Sequence, residues 1–140
     1  VIVVDTGGLI ALLNRNDAHH RRVRDLYERE RRSWVIPWAV LPEVDYLAST
    51  RLGVAVARAF AEDVRDGAFV VDEQVGRDMP RACELLERYE SMAIGLVDAV
   101  VMTQAERRKA KIIVTTDAKH FRAVRLDLEK PPLLVPLDPA

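Results

Sequence analysis

The chain has 140 residues, 49% hydrophobic and 31% charged, which is ordinary globular composition and excludes an extended disordered chain. Its net charge of -1 excludes a simple polycation, and no run approaches the roughly 18 uninterrupted apolar residues of a membrane span, so the protein reads as cytoplasmic with no membrane association. One cysteine, Cys83, cannot form an internal disulfide.

In chain order, Val1–Val4 reads as a fully apolar first strand that ends on Asp5. A short helix follows through Leu9–Leu13, and Asp17 is placed to cap a second. Trp34–Ile36 is a short strand closed by Pro37. A helix then starts near Pro42, a residue suited to a first turn, and Gly53 separates it from a further helix over Val54–Arg65. Ala68–Val71 reads as a third strand, Met79–Tyr89 as a helix with Pro80 in its first turn, and Leu96–Lys109 as another. Lys111–Thr115 and Leu133–Val135 complete the strands. Strands alternating with helices, without repeats or linkers, predict a single α/β domain over residues 1–140, its parallel β-sheet flanked by helices on both faces.

Four acids stand where an acid is expensive. Asp5 and Asp117 fall at the carboxyl ends of buried strands, where open parallel sheets bind ligands. Glu43 and Asp98 belong to first turns of helices, and Val101, Met102 and Ala105 put Asp98 in line with a core-facing stripe. Singly, each has a plain structural reading: a cap for the helix after its strand, or a first-turn acid favoured by the helix dipole at about 0.3–1 kcal/mol. Jointly they read as a converging carboxylate group whose members would raise one another's pKa values without a cation. Carboxylates without paired His or Cys point to Mg²⁺ or Mn²⁺ rather than zinc.

Charge is segregated along the chain. Arg21, Arg22, Arg24, Arg29, Arg31 and Arg32 form one basic group, and Arg107, Arg108, Lys109 and Lys111 another. The first group by itself reads as a solvated helix face laced with Glu28 and Glu30, and beside an acidic metal site basic flanks would suit a nucleic-acid backbone. His19, His20 and His120 read as surface or packing residues, and Trp34 and Trp38 as core or interface residues. Asp45, roughly 200° around its helix from Glu43, faces solvent or a partner.

Val3-Val4-Asp5-Thr6, Pro42-Glu43-Val44, Gly95-Leu96-Val97-Asp98-Ala99 and Thr115-Thr116-Asp117-Ala118-Lys119-His120-Phe121 resemble, in order, the four acidic motifs of PIN-domain ribonucleases. The chain length also resembles that of the VapC toxins of toxin–antitoxin pairs. The resemblance implies Asp5, Glu43, Asp98 and Asp117 as metal-binding and catalytic acids, Mg²⁺-dependent endonucleolytic cleavage of RNA, a homodimer, and a VapB-type antitoxin as partner. One departure is Gly7, at a position where the family commonly has a small hydroxyl residue; Thr6 is the available substitute. A receiver-type phosphotransfer domain would want paired acids after the first strand, and an Asp-x-Asp phosphatase needs an acid where Gly7 stands. The non-enzymatic alternative is an inert PIN-like module that binds RNA or protein.

Overall fold

A computed structural model describes residues 1–139. Five parallel strands, β1 (Ile2–Val4), β2 (Trp34–Pro37), β3 (Val70–Asp72), β4 (Ile112–Thr115) and β5 (Leu133–Pro136), form one sheet in the order β3-β2-β1-β4-β5. The first strand is central. Val3 pairs with Val35 on one side and Ile113 on the other, so β1 is hydrogen-bonded along both edges and buried on both faces. That double burial explains its unbroken apolar run, because a strand covered above and below has no face on which polar residues could alternate.

Among the described residues seven α-helices connect and cover the sheet: α1 (Thr6–Leu13), α2 (His20–Glu30), α3 (Val40–Arg51), α4 (Val54–Arg65), α5 (Val75–Arg88), α6 (Leu96–Arg107) and α7 (Ala118–Ala123). α1 packs on α2, α3 and β4, while α6 packs on α5, β1 and β2, and the helices cover both faces of the sheet. The interior of α6 shows why periodicity alone describes it poorly. Ala99 through Ala105 are all buried, so this helix is enclosed on every side rather than presenting one apolar stripe. Among the described residues no helix is long and apolar enough to cross a membrane.

Several boundaries differ from expectation for physical reasons. α2 begins at His20, and Asp17 accepts the His19 N–H at 2.8 Å in the turn before it rather than serving as its cap residue. α3 starts at Val40, which puts Pro42 at its third residue, still inside the first turn where no backbone donor is needed. The largest shift is in α5, which begins at Val75, a full turn before Met79, with Pro80 inside it. The turn ahead of the proline is held by tertiary contacts: Asp78 is fully buried and bonded to Trp38, Gln104 and Arg107. β3 correspondingly runs to Asp72, and a short helix, α7, follows Asp117.

Candidate active site

The backbone carries Asp5 off the end of β1 with its N–H donating to Val114 O of β4 at 2.9 Å, so the residue sits at the carboxyl edge of the sheet's centre. Asp5 is 6% exposed, and its Oδ2 accepts the Thr115 hydroxyl at 2.9 Å. Burial pushes its carboxyl up to about 7, and the nearby charges of Asp98 and Glu43 push the same way. The Thr6 N–H and the Thr115 hydroxyl oppose the shift without cancelling it. The Asp5 side chain makes no capping hydrogen bond of normal geometry to α1, the helix it precedes. Asp5 is thus a buried carboxylate near two further acids, tied to the end of β4 by the Thr115 hydroxyl.

Asp98 lies in the first turn of α6 and is half-buried; Glu43 lies in the first turn of α3 and is exposed. The Asp117 carboxylate is exposed and accepts the Lys119 N–H at 3.1 Å, capping α7. Its backbone stays tied to the site, because Asp117 N–H donates at 3.1 Å to the Thr115 hydroxyl that also serves Asp5. Asp45 is exposed, on the solvent side assigned to it by helical geometry.

Three features were not read from the local sequence. His120 is no mere surface or packing residue: its Nδ1 lies 3.0 Å from Asp98 Oδ2. Gly7 leaves a space that is already filled, since a Cβ there would sit 2.3 Å from Thr116 Oγ1. Thr116, just past β4, therefore places its own hydroxyl beside Gly7, while the Thr6 hydroxyl is buried without a partner among the described residues. Thirdly, the second basic group is partly committed inside the protein. Arg107 bonds Asp72 and Asp78 at 2.9 Å each, and Arg108 bonds Asp72 at 2.8 Å. Burial pushes the Asp72 carboxyl up, but the Arg108, Gln74 N–H and Arg107 contacts outweigh it and hold the group below its ordinary value. In the first basic group, Arg22 donates to the Asp138 carbonyl at 2.7 Å and Arg24 pairs with Glu28 at 2.9 Å, while Arg21, Arg29, Arg31 and Arg32 are exposed.

The roomiest concavity described, about 960 Å³ and lined by residues such as Lys109, Lys111 and Lys130, has none of the four acids in its wall. Among the described residues no group of three or more His, Cys, Asp or Glu side chains is gathered closely enough to hold a metal ion. The donor chemistry still fits Mg²⁺ or Mn²⁺: the donors are carboxylate oxygens, Asp5 is raised first by burial and further by Asp98 and Glu43, and Mg²⁺ ordinarily keeps several waters rather than taking an all-protein cage.

The sequence profile of the PIN domain matches residues 2–126. The chain belongs to the PIN domain family. This PIN domain is 27% identical over 124 residues to ribonuclease VapC26 of Mycobacterium tuberculosis, covering 89% of this chain and 92% of that one. In three dimensions it is similar to Mycobacterium tuberculosis VapC20, a sarcin-ricin loop cleaving toxin, with TM-score 0.77, 23% identity, and coverage of 91% and 98%. It is also similar to the DNA-bound VapBC of Salmonella typhimurium, with TM-score 0.66, 19% identity and 95% of each chain covered. At those identities the two structures speak for the fold, and the parallel sheet with its flanking helices agrees with the architecture expected from the sequence.

Proposed function

We propose that this PIN domain is a divalent-metal-dependent endoribonuclease, hydrolysing RNA phosphodiester bonds as the toxin half of a type II toxin–antitoxin pair in the cytoplasm. The observation that carries the proposal is Asp5: a carboxylate buried at the end of the central strand, pushed up to about 7 by burial and by Asp98 and Glu43. Such a group gains most from a bound cation, which would let it ionise. In this reading Asp5 and Asp98 are the principal ligands of Mg²⁺ or Mn²⁺, Glu43 is a further ligand or orients the attacking water, and Asp117 contributes directly or through water. The ion, when bound, supplies a polarised water and counter-charge for the leaving oxygen. The chain's own part is to hold the oxygens in place: Thr115 fixes one oxygen of Asp5, and the backbone of Asp117 fixes Thr115.

The ribonuclease name of the 27% identical relative supports RNA as substrate, as does the description of VapC20 as a sarcin-ricin loop cleaving toxin. The VapBC complex from Salmonella typhimurium supports a VapB-type antitoxin as partner. A homodimer is supported by apolar exposure on α3 and α4, where Tyr46 is 66% and Val54 62% exposed. Residues 1–140 are proposed to be one PIN domain; β5, beyond the matched residues 2–126, pairs with β4 from Leu133 to Pro136. The second reading, a catalytically inert module that binds RNA or protein, draws support from the Asp117 carboxylate, which caps α7, and from the loose spacing of the acids.

The test is cleavage of total cellular RNA by the purified protein with Mg²⁺, with Mn²⁺ and with excess EDTA, alongside Asp5→Asn and Asp98→Asn. Cleavage should require metal and be lost in both variants while their folds persist. Near-wild-type cleavage by both well-folded variants, or full cleavage in EDTA, would overturn the enzyme reading.

A further inference from the structure

His120 and Asp98 meet across 22 residues of sequence, with Nδ1 and Oδ2 3.0 Å apart and both side chains about one-fifth exposed. An ionised carboxylate has only acceptor sites, so this bond requires a hydrogen on Nδ1. The ring is not free to drift. Its neighbour Phe121 is 7% exposed, the preceding turn is capped by Asp117 on Lys119 N–H, and α7 contacts α6. His20 makes an informative contrast, since its Nδ1 meets the Ala11 carbonyl at 2.8 Å and its bond is accounted for by local packing. The His120 bond instead ends on one of the acids of the candidate site and occupies one oxygen of it.

We propose that His120 is a positioning residue: by donating Nδ1–H to Asp98 Oδ2 it fixes the carboxylate plane and leaves Oδ1 as the oxygen presented to the metal ion. The proposal rests on the metal-nuclease reading. Hydrogen-bond partners one step outside a metal's ligands orient those ligands, and their loss costs about 10–100-fold in metal affinity or activity. His120 would act in this way from α7 on the first turn of α6.

Mn²⁺ titration followed by the electron paramagnetic resonance of free Mn²⁺, at one pH near 8 and without RNA, tests this on the full chain. The variants are His120→Ala, which removes the donor, His120→Asn, whose amide nitrogen falls near Nδ1, His120→Gln, whose amide falls near Nε2, and Asp5→Asn. His120→Ala and His120→Gln should weaken Mn²⁺ binding by about 10–100-fold, and His120→Asn should restore most of the loss. A role confined to packing predicts instead that Asn rescues no better than Gln, and that result overturns the proposal. Wild-type Mn²⁺ affinity in a folded His120→Ala or His120→Gln protein also overturns it. Asp5→Asn separates the two levels: if it weakens Mn²⁺ binding while the His120 variants do not, positioning by His120 fails alone. If Asp5→Asn also binds as wild type, the metal-site reading fails with it.

Discussion

Replacing Asp5 by Asn should stabilise the metal-free protein, by an amount that grows with pH. The carboxyl is raised from 3.8 in an unfolded chain to about 7 in the fold. For an acid shifted upward the unfolded chain loses its proton first, so the penalty on folding is absent below the unfolded value and complete above the folded one. Three units correspond to about 4 kcal/mol at full ionisation, of which roughly 1.5 kcal/mol is already present at pH 5. The stability difference between the Asn variant and wild type should therefore widen by about 2.5 kcal/mol from pH 5 to pH 8.5. For a protein of this size that amounts to roughly 8–12 °C in Tm. Any change in the hydrogen bond from Thr115 adds an offset that does not depend on pH, so the slope and not the offset carries the result. Urea denaturation in EDTA at the two pH values measures it, with equal m-values as the check on the comparison. A difference that stays constant with pH, or wild type gaining on the variant as pH rises, would refute the account of Asp5 as a carboxylate whose charge the fold resists.

Mn²⁺ should reverse that ranking at pH 8, raising the Tm of wild type by an amount that increases with metal concentration and leaving Asp5→Asn nearly unmoved; equal shifts in both would place the ion elsewhere. Arg107→Ala leaves Asp78 and part of Asp72 buried without their cation, and should cost about 3–5 kcal/mol in urea titration. Gly8→Ala should destabilise by about 1–3 kcal/mol or more, because its Cβ would lie 2.5 Å from the Val114 carbonyl oxygen. Gly76→Ala, on α5 with nothing within 4 Å of the added carbon, should stabilise by about 0.4–1 kcal/mol in the same assay.

Legibility in the sequence followed the range of the interaction. The central strand and Asp5 were readable because double burial writes itself as an apolar run and makes the acid at its end conspicuous. Asp98 was readable from the apolar residues at helical spacing beyond it. His120 was not, since no local period relates a residue on α7 to one on α6, and its bond exists only once both helices stand over the same sheet edge. The start of α5 was missed for a similar reason. Pro80 has a strong local preference for a first turn, but the buried bonds of Asp78 to Trp38, Gln104 and Arg107 fix an additional turn ahead of it. The basic group at Arg107 and Arg108 was legible as charge, yet its partners on β3 and α5 lie about thirty residues away, so a surface and an interior look alike in one dimension.

α6 carries Asp98 in its first turn, while Gln104 and Arg107 anchor its last turns to Asp72 and Asp78. A single helical rod thus spans the candidate site and a charged joint that includes none of the four acids. If the proposed nuclease reading holds, a screen for variants that have lost RNA cleavage will for that reason return two populations that look the same on an activity plate: those that remove a ligand, and those that let the rod slip at its far end. Inactivity at Arg107 would by itself look like inactivity at Asp98, and a stability measurement beside the activity would tell the anchor from the ligand.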